Sequence, residues 1–399
     1  MAGHKIAYYR TLLYLCIIVG EILCQNPESF QIPLPRARLI NIQNNNNASN
    51  NAIGRPTVKQ PGGASQKPIT QKPTTPKPPA SIRDLLGSNA SCVEPPFKCP
   101  HPKIQFFLYT RLTQMNPDLL DVTDPESLYK SHFNPKHPVK IIIHGFQGGR
   151  NLSPSTDLRN AYFTRSNYNI IIVDYSSLAQ VPCLNQVEWA PRFCGMCIAQ
   201  LANYLAEHPR GVPPDKLHLM GYSVGAHIAG LTANYIKSGK LGRITGLDPT
   251  ILFYTTNNRS RDLDPTDAHF VDIIHTAAGI LGQWGASGHA DFYVNGGTSQ
   301  PGCASDSIIQ TLSCDHTKVT PYFIESINSN IGFWALPCAN RFLFNLGLCD
   351  PPESEYVLMG EHVSHKARGI YYLSTNARKP YAKGFPKQRL SSTTNITLG

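Results

Sequence analysis

Leu217-His218-Leu219-Met220-Gly221-Tyr222-Ser223-Val224-Gly225-Ala226-His227-Ile228-Ala229-Gly230 joins an apolar run to a small-residue helical pattern through Gly-x-Ser-x-Gly. The run from Lys216 to Met220 predicts a strand and Val224 to Ile236 predicts a helix. Between them the two glycines permit a tight turn that lifts one hydroxyl, that of Ser223, above the end of the strand. Alone the motif is weak, because any Gly/Ser-rich loop produces it. Flanked by a readable strand and a readable helix, it predicts a nucleophile elbow.

Outward from the elbow, Ile104 to Tyr109, Val139 to Ile143, Asn169 to Asp174 and Arg243 to Leu247 predict further short apolar strands. Helical patterns separate several of them, notably Gly195 to Ala206. That alternation predicts an α/β class domain over 91–377, with a mostly parallel central sheet flanked by helices.

A serine hydroxyl is a poor nucleophile at neutral pH, so it needs a base, and the base needs an orienting acid. In this strand-turn-helix architecture the expected chain order is Ser, Asp, His. Asp248 ends the next strand in Ile244-Thr245-Gly246-Leu247-Asp248-Pro249 and is the expected acid. Asp174 also ends a strand but precedes Ser223, and Asp264 and Asp267 lie in a polar loop. For the base, His316 in Cys314-Asp315-His316 is preferred, in a loop held by a half-cystine ahead of a helix from Pro321 to Ile327. His289 in a Gly-His-Ala-Asp loop is the alternative. His227 sits on the elbow helix, and His269 and His275 flank a strand from Phe270 to Ile274, where structural roles are expected. Tetrahedral oxyanion stabilisation needs backbone donors. The N–H of Val224, after the nucleophile, and that of Phe146, in Ile143-His144-Gly145-Phe146, are the expected pair.

Charge is uneven. Residues 1–81 hold nine Lys/Arg against two Asp/Glu and residues 378–399 hold five against none, so against a chain total of +10 the span between them is close to neutral. A nucleic-acid-binding fold would carry its basic patch on the fold itself, so none is expected. The basic ends suit an anionic matrix or lipid surface, with plain solvation the competing interpretation. Residues 1–24 carry Lys5 and Arg10 before an apolar run from Leu12 to Gly20, which predicts a cleaved signal peptide and an extracellular, secreted protein. Residues 25–90, rich in Asn, Pro and Lys-Pro steps, predict disorder, as does the tail 378–399.

An exported chain with nine cysteines beyond its leader should hold disulfides. Short-range pairing predicts Cys92–Cys99, Cys303–Cys314, Cys338–Cys349, and Cys183 with Cys194 or Cys197, with one thiol left over. Sequons at Asn47, Asn89, Asn151, Asn258 and Asn395 are consistent with export.

Taken together, His144-Gly145-Phe146, Gly221-Tyr222-Ser223-Val224-Gly225, Gly246-Leu247-Asp248-Pro249, Phe270 to Thr276, Gly288 to Tyr293 and Cys314-Asp315-His316 resemble the pancreatic lipase family, which includes secreted phospholipases A1. The likeness runs from about Cys92 to Thr375. It implies an α/β-hydrolase fold and cleavage of glycerolipid esters at a membrane or emulsion surface, with Ser223, Asp248 and His316 as triad and Phe146 and Val224 as oxyanion donors. Two departures narrow it. Only Ala304 to Ser313 separate Cys303 from Cys314, where pancreatic-type lipases carry a long lid, and no C-terminal β-sandwich domain or colipase partner is expected. Short loops here, including Ala277 to Gly288, are similar to the phospholipase A1 branch, and Ile308, Ile309, Leu312 and Trp284 are candidate interfacial side chains. The family's calcium loop is matched at Asp264 and Asp267, but Arg259 stands where relatives are acidic, so no required metal or other cofactor is expected. The alternative function is a catalytically silent lipid-binding or storage relative, disfavoured because all three triad residues stand.

Overall fold

The computed structural model describes residues 97–179, 186, 189–252, 254 and 260–386. The expected leader, the Asn/Pro-rich segment, Cys92, Cys183, Arg259 and residues 387–399 lie outside them.

Eleven strands form one sheet: β1 (Gln105–Tyr109), β2 (Asp118–Leu120), β3 (Val139–Ile143), β4 (Asn169–Asp174), β5 (Leu217–Tyr222), β6 (Leu241–Leu247), β7 (Ala268–His275), β8 (Ala290–Val294), β9 (Phe333–Pro337), β10 (Val357–Met359) and β11 (Gly369–Leu373). Their spatial order is β10-β9-β11-β8-β7-β6-β5-β3-β4-β1-β2. From β4 across to β11 every neighbouring pair is parallel. The edges differ: β1, β2, β9 and β10 pair antiparallel, so the first predicted strand belongs to a hairpin at the margin. The helices are α1 (Ser127–Lys130), α2 (Ser155–Arg165), α3 (Ala190–Glu207), α4 (Val224–Ala233), α5 (Ile308–Thr317), α6 (Val319–Asn328) and α7 (Arg341–Asn345).

The central strands show why the sheet is buried on both sides. Val139-Lys140-Ile141-Ile142-Ile143 and Asn169 to Val173 are β-branched apart from Lys140 and Asn169, and buried throughout. Successive side chains point to opposite faces. Ile141, Ile143, Ile171 and Val173 join α3 and α4 in one core, and Ile142, Ile170 and Ile172 join Tyr162 of α2 and Tyr322 and Phe323 of α6 in the other.

Two local cysteine pairings stand as expected, Cys303–Cys314 and Cys338–Cys349. The Cys92–Cys99 pairing does not: Cys99 bridges Cys197 of α3, and Cys194 is a buried free thiol. The segment before β1 lies along α3, with Phe97 stacked on Trp189 at 3.9 Å between centroids. Long-range packing brings those two sulfurs together across 98 positions, which spacing cannot reveal. Residues 381 and 382 are likewise docked, since the Glu325 carboxylate accepts from their amides at 2.9 and 2.8 Å.

Lys140, in the middle of β3, would be costly in such a core without partners. Its ammonium meets Glu361 Oε1 at 2.6 Å and His218 Nδ1 at 2.8 Å. Lys140 has no acceptor to offer, so Nδ1 must accept and the proton sits on His218 Nε2, which donates to Thr245 Oγ1 at 2.8 Å. Thr245 in turn donates to Asp272 Oδ1 at 2.9 Å, and Arg243 grips both oxygens of Asp272 at 2.8 and 2.9 Å. Arg243 also reaches the carbonyls of Gly360 and Glu361, and Tyr162 donates to Glu361 Oε2 at 2.6 Å. One carboxylate from the β10–β11 connection thus closes a charged cluster beneath four strands.

Burial alone would raise the Glu361 pKa, but the charges of Lys140 and Arg243 outweigh it and hold the group below its ordinary value. A depressed carboxyl pKa contributes stability that is present above the unfolded-state value and lost as pH falls through the folded one. Glu361→Gln should therefore lower unfolding free energy by roughly 3–5 kcal/mol at pH 7, because it strands buried cations. Urea titrations of both proteins should show this gap narrowing as pH drops below the ordinary Glu value of 4.5.

Candidate active site

The C-terminal ends of the parallel strands share one edge, and there the chain turns at His144, Ser223, Asp248 and Thr276. Ser223 takes φ 57 and ψ −120, a conformation costing about 1–3 kcal/mol for a residue with a side chain. Packing enforces it. A Cβ at Gly221 would stand 2.1 Å from the carbonyl oxygen of Gly225, and one at Gly225 would stand 2.4 Å from that of Ile143. The Ser223 amide is tied to the Leu247 carbonyl at 2.9 Å, joining the elbow to the strand that delivers Asp248.

Asp248 is fully buried and also left-handed, at φ 45, with its amide donating to Ile274 at 2.8 Å. Its Oδ1 accepts from the amides of Thr276 and Ala277 at 2.8 and 3.1 Å. Its Oδ2 faces His316 Nδ1 at 2.5 Å, and His316 Nε2 lies 2.9 Å from Ser223 Oγ. A carboxylate only accepts, so Nδ1 carries the ring proton and Nε2 is left to accept from the serine hydroxyl. Gly282 lets this happen: a Cβ there would come within 2.6 Å of the Asp248 carboxylate.

His316 was expected in a loop; instead it occupies the last turn of α5, which begins inside the Cys303–Cys314 span with Ser307 as N-cap. The sequence reads the span as a short loop beside the long lid of pancreatic-type lipases, yet the disulfide closes around a helix rather than ahead of one. The neighbouring Asp315 was not singled out. It is buried, accepts from the Gln300 amide at 2.6 Å, and leaves Oδ2 without a protein partner. Burial, with the nearby Asp248 charge, raises its pKa to about 6 despite the Gln300 hydrogen bond. The adjacency of a carboxyl to the base was the only available sequence signal.

The Gly145–Phe146 turn lies against the nucleophile, since a Cβ at Gly145 would sit 3.2 Å from the Ser223 Cβ. Among the described residues, neither the Phe146 nor the Val224 amide finds a protein acceptor. His144 props this turn. It is fully buried, stacked on Tyr175 at 4.1 Å, and burial lowers its pKa to about 4. As a neutral ring it donates from Nδ1 to the Gly145 carbonyl at 2.8 Å and accepts the Tyr175 amide at Nε2, 3.3 Å away.

The other candidates have different company. His227 is buried under Tyr254, bonded to the Thr250 carbonyl at 2.8 Å, and burial lowers its pKa to about 3. His275 pairs with Asp291 at 2.8 Å, His289 accepts the Val271 amide at 3.0 Å, and His269 is exposed. Asp174 accepts the Ser176 amide at 3.1 Å. In the Asp264–Asp267 loop, Thr266 donates twice to Asp264 Oδ1 at 2.6 Å and the Asp264 amide donates to Asp267 Oδ2 at 2.9 Å. Among the described residues no group of three or more His, Cys, Asp or Glu is arranged to hold a metal ion.

Around the site, Ile308 at the start of α5 is 73% exposed and Trp284 is 58% exposed. Tyr222 lies 5.1 Å from the His316 ring, with its hydroxyl 3.4 Å from Thr317.

Human inactive pancreatic lipase-related protein 1 is 34% identical over 306 residues, covering 70% of this chain and 64% of the relative. Mouse pancreatic triacylglycerol lipase is 30% identical, covering 70% and 65%, and rat phospholipase A1 member A is 31% identical, covering 70% and 63%. The chain thus spans somewhat less than two thirds of the length of these relatives. The Lipase family profile matches residues 84–381, taking in the Ser223 turn, the strand that ends at Asp248 and the helix that carries His316, and with this α/β-hydrolase sheet beneath them the chain belongs to the lipase family.

Proposed function

We propose that the chain is a secreted serine hydrolase that cleaves carboxylic esters of glycerolipids through an acyl-enzyme, with Ser223 as nucleophile, His316 as base and Asp248 as acid. The observation carrying this reading is the unbroken relay from Asp248 Oδ2 to His316 Nδ1 at 2.5 Å and from His316 Nε2 to Ser223 Oγ at 2.9 Å. His316 takes the hydroxyl proton as Ser223 Oγ attacks the ester carbonyl. The amides of Phe146 and Val224 hold the resulting oxyanion, and Asp248 stabilises the imidazolium. His316 then gives its proton to the leaving alcohol. Water, activated by the same ring, releases the fatty acid.

Within glycerolipids the short Cys303–Cys314 span favours a phospholipase A1-like activity, because a small lid leaves a mouth able to admit a polar head group. Triacylglycerol hydrolysis is the competing activity. The three disulfides among the described residues and the apolar run in residues 12–20 support an oxidising, extracellular destination. One finding favours a second reading: some relatives bear the name inactive, so a silent lipid-binding protein remains the counter-hypothesis.

Purified protein should release fatty acid from a phosphatidylcholine emulsion, and rates on triacylglycerol emulsion and on a soluble short-chain ester separate the branches. No turnover on any of the three leaves the silent reading standing. Ser223→Ala should cut kcat by ~10⁴-fold or more with the thermal midpoint kept. Asp248→Asn should cost ~10⁴-fold by favouring the wrong ring tautomer, while phosphatidylcholine KM moves little.

Asp315 supplies a pH test beside the base. Its raised pKa means the folded state holds the proton more tightly than the unfolded chain, so stability falls as pH rises from the ordinary value of 3.8 through about 6. Asp315→Asn keeps the acceptor for Gln300 but removes the titration. Its denaturation midpoint should gain on the wild type between pH 4 and pH 8; equal pH profiles would refute the assignment.

A further inference from the structure

We propose that the disulfide-closed loop Cys338–Cys349 is a lipid-surface anchor that seats the candidate active site on zwitterionic phospholipid. It rests on the glycerolipid reading above.

The loop divides its apolar side chains. Leu343 and Phe344 turn inward, with Phe344 stacked on Tyr372 at 5.2 Å. Phe342, Leu346 and Leu348 turn outward and are 69%, 55% and 64% exposed. The Cys338–Cys349 bridge and an Asn340 cap on the Leu343 amide at 3.0 Å fix the backbone that presents them. Three exposed large apolar groups on one preorganised loop are costly in water and match what an amphipathic interfacial element buries among acyl chains.

Position ties this loop to the triad. Arg341 donates to Thr298 at 2.8 Å, the adjoining Gly297 carbonyl accepts from Ala278 at 2.7 Å, and the Ala277 amide holds Asp248 at 3.1 Å. From a disulfide beside the start of β11, the loop therefore reaches through Arg341 to the C-terminal side of the sheet, where Asp248 stands. The Arg341 guanidinium also lies 5.1 Å from the exposed Trp284 ring. A cation beside an indole, next to apolar tips, is the composition suited to head-group depth above inserted side chains. Exposed Asp350, Glu353 and Glu355 follow the loop and oppose a strongly anionic surface, so phosphatidylcholine is the fitting partner.

The experiment separates binding from turnover. Full-length Ser223→Ala protein, which leaves the lipid intact, is sedimented with phosphatidylcholine vesicles in 0.5 M salt, where the basic ends are screened. Adding Phe342→Ser, Leu346→Ser and Leu348→Ser should lower the partition constant roughly tenfold or more. In the catalytically intact background the same triple change should leave soluble-ester kcat/KM and the thermal midpoint unchanged. Vesicle binding equal to that of the parent, or no binding by the parent itself, overturns the proposal. So does a concentration-dependent dimer abolished by the triple change while vesicle binding persists, which would assign the loop to a second copy. Should the triple variant fail to fold, Phe342→Trp decides: quenching of its added emission by brominated phosphatidylcholine supports insertion, and unquenched emission overturns it. Loss of soluble-ester activity in the parent would instead strike the catalytic reading and leave the vesicle result standing.

Discussion

Close approach of β5 and α4 to the end of β3 governs this structure. With side chains excluded at Gly221 and Gly225, the turn between them has room only for Ser223 in its left-handed conformation. The strain is held by backbone bonds from the neighbouring strand and by two packed faces of the sheet, not by the serine itself. Everything the site requires follows from that lift. The hydroxyl clears the sheet, α4 opens at Val224 with an amide that no described residue accepts, and Gly145 brings the β3 turn alongside.

The two ends of the central strands have been given opposite electrostatic tasks. At the C-terminal edge, Asp248 takes two backbone donors and the ring of His316, so its buried charge is met by dipoles and one proton-bearing partner. Deeper along the same strands, Lys140, Arg243, Asp272 and Glu361 form a mutually compensated cluster with Tyr162, His218 and Thr245. Such a cluster contributes little net stability compared with apolar packing, yet each member is costly to remove alone. Its consequence is geometric: it pins the β10–β11 connection beneath β3, β5, β6 and β7, leaving the strand ends free to serve the site.

What the sequence made legible was local. The elbow, the Asp at the end of the following strand, the Ile-rich central strands and the two 11-residue cysteine spacings are all patterns within a few turns of chain, and they reappear in the fold. What escaped was non-local. Glu361 lies 221 positions from Lys140, and Cys99 lies 98 from Cys197, so no spacing points from one to the other. The antiparallel margins escaped because β1 and β9 carry the same apolar pattern as parallel strands, and periodicity is silent about direction. The structure sets His316 against Ser223, on a helix that the sequence conceals, because Cys303 to Cys314 looks like a loop when its ends are counted and its interior is not.

That helix constrains how far the Cys303–Cys314 span can move. Here α5 begins at Ile308 and carries His316 in its final turn, so any tilt of the helix displaces Nε2 from Ser223. Three attachments resist such a tilt: the Cys303–Cys314 bridge, Asp315 on the Gln300 amide, and Asp248 on the ring itself. Gln300 in turn donates to the carbonyls of Thr276 and Val294, fastening the base of α5 to the ends of β7 and β8. Large movement of α5 would therefore separate His316 Nε2 from Ser223 Oγ, so under the proposed function the ester must reach the serine with α5 in place.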